Sequence, residues 1–322
     1  MHDLEDHANT EPDDCVYPFQ IDKIGIRGRL VRLGPAIDEV LSSHDYPDPV
    51  ANFLGELVAL SAALSTALKF DGVFSLQVRG NGPIRALVAD YQSPGSIRAF
   101  ASFDQEAVAK VAQAGAVRIT DFFGAGVLSW IVDQGNDSER HQGIVSLDGE
   151  TLSECTENYF RQSEQLRAVI RVGVVREIVR GGQGQWRAGA IMVQNLATTG
   201  GKSGRKIDDE YATEQDWQHA KALVQTATTA EMCDPLLQPS AFLRRLFHED
   251  GVWLYDPTAL IAKCRCSRER IESVRGRGYR HVGCSATNEV VECAEKRQMN
   301  AEYAAGVADY ERWKFNSSMF GD

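Results

Sequence analysis

No stretch of this chain is at once long, apolar and free of polar residues. The most hydrophobic window, Val50 to Phe70, is interrupted by Asn52, Glu56, Ser61, Ser65 and Lys69. It therefore reads as a buried helix and not as a membrane span. An export signal is missing too: Met1 to Asp14 holds six acidic residues, no Lys or Arg and no apolar core, which reads as a disordered acidic tail over residues 1–15. A basic surplus is also lacking. Asp and Glu number 45 against 34 Lys and Arg, a formal charge of −11, and a field of that sign argues against gripping nucleic acid or an anionic membrane. Internal repeats and coiled-coil heptads are absent.

Catalytic signatures are missing as well. Gly201-Lys202-Ser203 invites a phosphate-loop reading, but the glycine that such a loop needs upstream is Leu196. His248-Glu249 starts like a zinc-protease helix, yet the position for the second histidine is Val252. No G-x-S-x-G elbow occurs, and Gly124-Ala125-Gly126 is too short for a dinucleotide fingerprint and reads as a turn between strands. Nothing in the first 260 residues assembles a nucleophile, a base and an oxyanion donor.

What is present is the composition of a globular protein: 322 residues, 43% hydrophobic and 25% charged. The chain is read as cytoplasmic, where thiols stay reduced and clustered cysteines point to metal or redox chemistry more than to structural disulfides. Its charge is uneven. From Lys263 onward there are 11 Lys and Arg against 9 Asp and Glu, while the rest holds 23 against 36. Such a shift marks a module boundary.

Aliphatic and β-branched residues predict a strand over 21–33. Asp48-Pro49 then starts a helix whose apolar positions run from Val50 to Leu68 and which Gly72 ends. Alternation at Phe74, Leu76 and Val78, the turn Gly80-Asn81-Gly82-Pro83, and alternation at Ile84, Ala86 and Val88 predict a hairpin. Further strands are expected at 97–103, 117–122, 127–132, 143–147, 168–175 and 186–196, with a helix over 150–166 that turns Leu152, Cys155, Tyr159 and Ser163 to one side. Helices are also expected at 208–229, with Trp217, Ala220, Leu223 and Val224 on its apolar face, and at 239–248. Sheet and helix alternate without a regular βαβ rhythm, so the fold class is α+β with a mainly antiparallel sheet. The organisation expected is an acidic tail (1–15), an α+β core (16–196), a linker and helical middle region (197–260) and a small C-terminal module (261–322).

Seven cysteines are present, and Cys264, Cys266, Cys284 and Cys293 fall close together near the C-terminus. Cys15, Cys155 and Cys233 are isolated and read as small buried hydrophobes, with the acidic neighbours of Cys15 raising its pKa. In Lys263-Cys264-Arg265-Cys266 two thiols one residue apart can face a single ion, and the adjacent cations favour thiolates. A tetrahedral site needs two more ligands, for which Cys284 and Cys293 are available and His281 is a substitute. The competing reading is a pair of incidental thiols on a basic, solvated helix.

The order of several blocks resembles the heat shock protein 33 family, the redox-regulated holdase chaperones. These blocks are Gly28-Arg29-Leu30-Val31-Arg32-Leu33; Leu54-Gly55-Glu56 through Leu68-Lys69-Phe70-Asp71-Gly72; Gly80-Asn81-Gly82-Pro83-Ile84-Arg85; and Gln142-Gly143-Ile144-Val145. Tyr159-Phe160-Arg161-Gln162-Ser163-Glu164-Gln165, Arg245-Leu246-Phe247-His248-Glu249 and Cys264-Arg265-Cys266-Ser267-Arg268-Glu269-Arg270 follow. The resemblance implies an ATP-independent chaperone, a binding protein and not an enzyme, that holds unfolding client proteins under heat and oxidative stress, as a homodimer when oxidised. It implies one zinc ion in the reduced state, held by a C-x-C and a C-x-x-C pair that each become a disulfide on oxidation. Here Cys264 and Cys266 match the first pair. No C-x-x-C lies downstream; Lys296-Arg297-Gln298-Met299 stands at the family's spacing, Cys284 and Cys293 are left for the second pair, and the likeness fades after about Val274. The residues themselves also predict weakly anchored linker helices, with Glu210, Glu214, Asp216 and His219 on their polar face. Two other classes remain: a zinc-module nucleic-acid binder, prompted by Arg265, Arg268, Arg270, Arg275, Arg277 and Arg280, and a zinc hydrolase with an open fourth ligand position.

Overall fold

The computed structural model describes residues 11–68, 70–116, 118–134, 141–164, 167–177, 184–195 and 210–263. It divides into two units, residues 1–262 and 263–322, and the described helices and strands belong to the first.

One helix organises it. After Pro35–Ser42 (α1), helix α2 runs from Asp48 to Ala67, starting with a proline in its first turn. Thirteen of its residues, from Val50 to Ser65, are buried, on every side of the helix. By length and composition α2 is apolar enough to cross a membrane, but in this fold two sheets enclose it, which is how a helix that is hydrophobic all round is normally accommodated.

The first sheet has strands β1 (Cys15–Ile21), β2 (Ile26–Leu33), β8 (Ala168–Glu177) and β9 (Gln185–Asn195), with the short β10 (Trp253–Leu254) and β11 (Thr258–Ala259) both on β1. Its order is β10-β1-β2-β9-β8. The second contains β3 (Val73–Gly80), β4 (Ile84–Gln92), β5 (Ser96–Phe103), β6 (Gly126–Asp133), β7 (His141–Ser146) and β12 (Ile261–Ala262), in the order β12-β5-β4-β3-β6-β7. Every pairing is antiparallel except that of β12 with β5. The α+β, mainly antiparallel reading holds. Val31, Leu33, Ala188, Ala190 and Met192 from the first sheet meet Leu76, Val78, Leu87 and Leu128 from the second around α2.

Several expectations shift. The strand expected over 21–33 is two strands, because Gly25 takes a left-handed conformation (φ 64°) after a 3-10 turn at Asp22–Ile24. Residues 117–122, read as a strand, contain instead the short helix α4 (Ile119–Phe123). Its β-branched start mimics a strand, but Phe122 and Phe123 both meet the ring of Phe53 on α2, at 5.4 and 5.3 Å. Gly124 (φ 63°) then ends the helix, and the Phe123 carbonyl accepts a hydrogen bond from Gly82 N at 2.9 Å. A Cβ at Gly80 would lie 2.0 Å from that carbonyl oxygen, so the hairpin turn also serves as a close-packing surface.

The helix expected over 150–166 is α5 (Leu152–Tyr159), continued by a π-helical turn at Phe160–Glu164; Leu152, Cys155 and Tyr159 are buried as expected. Helix α3 (Gln105–Gln113) and α1 have no counterpart in the sequence reading. The tail read as disordered to residue 15 is bonded from Glu11 on: Asp14 accepts from Gly34 N and Ala36 N, and Asp13 pairs with Arg187 at 2.6 Å. Residues 210–262, separated from the core at 196/197 in the sequence reading, belong to the same compact unit.

Glu56 sits on α2 amid this apolar packing, and burial pushes its carboxyl up to about 7. A carboxyl with a raised folded-state pKa favours the folded state only while protonated, so stability falls as pH rises from about 4.5 through 7. Glu56→Gln removes this dependence. Thermal melts should show the variant more stable than the parent at pH 8.5, with the gap closing toward pH 4.5; parallel curves at all pH values would refute it.

Candidate functional site

The residues expected to carry metal and redox chemistry, Cys264, Cys266, His281, Cys284 and Cys293, lie outside the described residues. Among the described residues, no group of three or more His, Cys, Asp or Glu could hold a metal ion. The three isolated cysteines are free and buried. Burial raises the Cys15 thiol, with Asp14 and Asp13 adding to it, and raises that of Cys155. It pushes Cys233 up to about 12 despite the nearby guanidinium groups of Arg32 and Arg187. Buried and protonated, all three are unreactive.

The distinctive surface is the outer face of the first sheet. An antiparallel sheet commonly leaves one face to water, but here both faces are apolar. With α2 covering one, period-two alternation sends Tyr17, Phe19, Leu30, Val169, Ile191 and Val193 to the other. Gly28 lies opposite Phe19 in the register, and a Cβ there would lie 2.0 Å from the ring. Phe19 thus lies across its neighbour and reaches Phe247, with ring centroids 5.8 Å apart.

Three helices cover this face: α6 (Glu210–Thr226), α7 (Thr229–Cys233) and α8 (Pro239–Leu246). Trp217, Ala220 and Val224 of α6 are buried, and Leu223 packs beside them. On α8, Phe242, Leu243 and Leu246 do the same. Helix α7 fits a slot made by Gly173 and Gly189, which are register partners in β8 and β9. A Cβ on Gly173 would lie 2.4 Å from the Thr229 side chain, and one on Gly189 would lie 2.7 Å from the Met232 carbonyl oxygen.

Two buried arginines fasten the end of α7. Arg32 donates to the Leu237 carbonyl at 3.0 Å and to that of Asp234, and Arg187 donates to the Cys233 carbonyl at 2.7 Å. Cations suit the carbonyl-rich C-terminus of a helix. At the N-terminus, Thr228 and Glu231 form a capping box, which holds the Glu231 carboxyl below its usual range. Ion pairs join Arg167 with Glu214, Arg245 with Glu231 and Lys23 with Asp250 (3.9 Å), and Asp250 also shares a hydrogen bond with His219 (2.9 Å). Glu214 thus ties α6 to Arg167 beside β8, and His219 joins α6 to the turn after α8. Exposed pairs of this kind contribute only about 0–1 kcal/mol each, so apolar burial carries the attachment.

The cover leads directly to the thiol segment. After α8 the chain pairs with β1 through β10 and β11, and β12, bound to the edge of the second sheet, ends at Ala262, two residues before Cys264. Trp253, Tyr255 and Ile261 along this path are exposed. The apolar face of α6 was legible from its helical spacing; the glycine slot and the buried arginines carried no sequence signal, because Gly and Arg in strands ordinarily mark bulges and solvent-facing positions.

The chain is similar to proteins of known family along most of its length. The sequence model of the Hsp33 protein family matches residues 14–274. A protein of Caulobacter vibrioides named 33 kDa chaperonin is 42% identical over 298 residues, covering 92% of this chain and 94% of the relative. The family match ends at Val274, where the likeness to the family is expected to fade, while the longer alignment with this one relative extends past it. A 33 kDa chaperonin of Pseudomonas fluorescens is 37% identical over 260 residues, 80% of this chain and 79% of its own. The crystal structure of a Thermotoga maritima 33 kDa chaperonin, a heat shock protein 33 homolog, shares the fold with a TM-score of 0.64 at 20% identity, over 87% of this chain and 93% of that one. By its sequence and its fold, this chain belongs to the Hsp33 family.

Proposed function

We propose that the protein is a chaperone, a binding protein and not an enzyme, that holds unfolding clients on an apolar surface which its own helices cover at rest. The observation that carries this reading is the sheet face under α6, α7 and α8, apolar across four strands and closed by a segment that continues into the cysteine-rich tail. Relatives named chaperonins support it.

The finer reading is a redox switch. The tail's four thiols and His281 have the donor chemistry of a tetrahedral zinc site, and a small metal-held module folds only while its ligands remain available. Cys264 and Cys266 serve as one ligand pair, with Cys284 and either Cys293 or His281 completing the set. An oxidant such as hydrogen peroxide takes two electrons from a thiol pair, leaving a disulfide and water, and removes the donors that hold the ion. Loss of the module's fold then loosens β12, β10 and β11, which tie the cover down. The eight residues between Cys284 and Cys293 exceed the two of a C-x-x-C loop. Each doubling of a loop costs only about 0.6 kcal/mol, so the site remains feasible but less preorganised, and zinc is held more weakly than by paired C-x-x-C geometry. In this reading the protein acts in the cytoplasm, on client proteins and as a homodimer when oxidised, without nucleic acid or membrane partners.

Light scattering from a thermally unfolding client tests the switch: oxidised protein at stoichiometric amounts should suppress aggregation and reduced protein should not. Equal, negligible suppression in both states would end the proposal. Zinc content separates the ligands, falling sharply in Cys266→Ser and holding in Cys155→Ser; the opposite result refutes the assignment. Gly189→Val places a side chain where Met232 sits and should lift α7, so that the reduced variant keeps its far-ultraviolet spectrum, binds an apolar dye and suppresses aggregation. A folded variant whose reduced form stays inactive would show that the cover does not mask the client surface.

A further inference from the structure

On the opposite side of the first sheet, an apolar pocket of about 220 Å3 lies between the last turn of α2, the second sheet and α5. Leu64, Leu68, Phe74, Leu128, Trp130 and Phe160 are among its walls. The rings of Phe74 and Trp130 are stacked, with centroids 6.2 Å apart, and Tyr159 meets Trp130 edge-on at 5.8 Å, which makes these walls stiff. The Thr156 hydroxyl in the lining donates to the Leu152 carbonyl at 2.8 Å, so it is already committed. Leu68, 46% exposed, marks an opening to solvent. An apolar cavity of about 150 Å3 stays dry and accepts benzene; this one has room for a ring with a short arm or a short alkyl chain.

Beside the pocket stands unbalanced positive charge. Arg27 is the register partner of Gln194, a lining residue, so both side chains leave the sheet on the pocket's side. Arg29, two residues on, shares that face and donates to the Thr66 carbonyl in the last turn of α2, at 3.3 and 3.4 Å. Its third bond goes to the Gly28 carbonyl at 2.8 Å. Among the described residues, no carboxylate pairs with either arginine. Capping the C-terminus of α2 accounts for Arg29, and Arg27 adds a second, exposed cation beside it. Burial and the charge of Arg27 both lower the Arg29 pKa, as befits a cation lacking a counter-ion.

An apolar pocket open to solvent beside Leu68, with cations next to it, matches a small amphiphile with an anionic head. We propose that this pocket binds a single-chain carboxylate, a short acyl or aryl-alkyl acid, with its hydrocarbon against Phe74 and Trp130 and its carboxylate toward Arg27 and Arg29. The site lies on the other side of the first sheet from the helical cover, and the proposal stands whether or not the redox reading does.

Calorimetry on the reduced full-length protein, with octanoate, 1-octanol and acetate as probes, decides it. Octanoate should bind with one-to-one stoichiometry and quench Trp130 fluorescence, octanol should bind about tenfold more weakly, and acetate should give no signal. Arg27→Gln, at an exposed residue without a pairing carboxylate, should weaken octanoate about fivefold and leave octanol unchanged. Ala67→Leu, which fills the pocket from α2, should abolish both. Equal binding of octanoate and octanol, unaffected by Arg27→Gln, would overturn the anionic-head assignment. No octanoate binding at millimolar concentration, or binding that survives Ala67→Leu, would overturn the site.

Discussion

The all-round burial of α2 is the constraint on which the rest of the structure depends. A helix apolar on every side needs partners on every side, and the chain supplies them as two antiparallel sheets. Enclosing the helix consumes the inner face of each. The first sheet is then left with a second apolar face, and a sheet so built must be covered or become adhesive. The need for α6, α7 and α8 thus follows from the centre of the molecule outward.

How the cover is attached matters for what it can do. Apolar side chains supply most of the adhesion, while the glycine slot and the two arginines fix where α7 sits. Buried guanidinium groups bonded to carbonyls make the closed arrangement specific. Once α7 moves, Arg32 loses both of its carbonyl partners while Arg187 keeps Asp13, and a buried charge without a partner is costly. Attachment of this sort favours two states, seated or released, over gradual loosening. Past the cover the chain continues through β10, β11 and β12 to Ala262, two residues before Cys264 in the sequence.

The same sheet separates two surfaces with different chemistry. Toward the cover it presents a broad apolar area suited to irregular partners; toward α2 it borders a small stiff pocket with Arg27 and Arg29 beside it. A broad apolar area suits an unfolded chain, whereas a narrow apolar pocket with fixed charge beside it suits a small ligand.

Local pattern determined much of this in advance. The proline start and apolar spacing of α2, the β3–β4 hairpin, the strands β5, β6, β8 and β9 and the buried face of α6 all follow from periodicity and turn chemistry, which act over a few residues. The resemblance blocks carried the family. What depended on distant partners was not legible: Ile119–Phe123 has a strand's composition, but its rings are drawn to Phe53 on α2, 66 or more residues away, and it closes as a helix. Likewise Arg32 and Arg187 read as ordinary strand cations, and only the meeting of β2, β9 and α7 buries them. Sequence fixes what a segment favours alone, and tertiary packing decides wherever the energy of contacts between remote segments exceeds that small local preference.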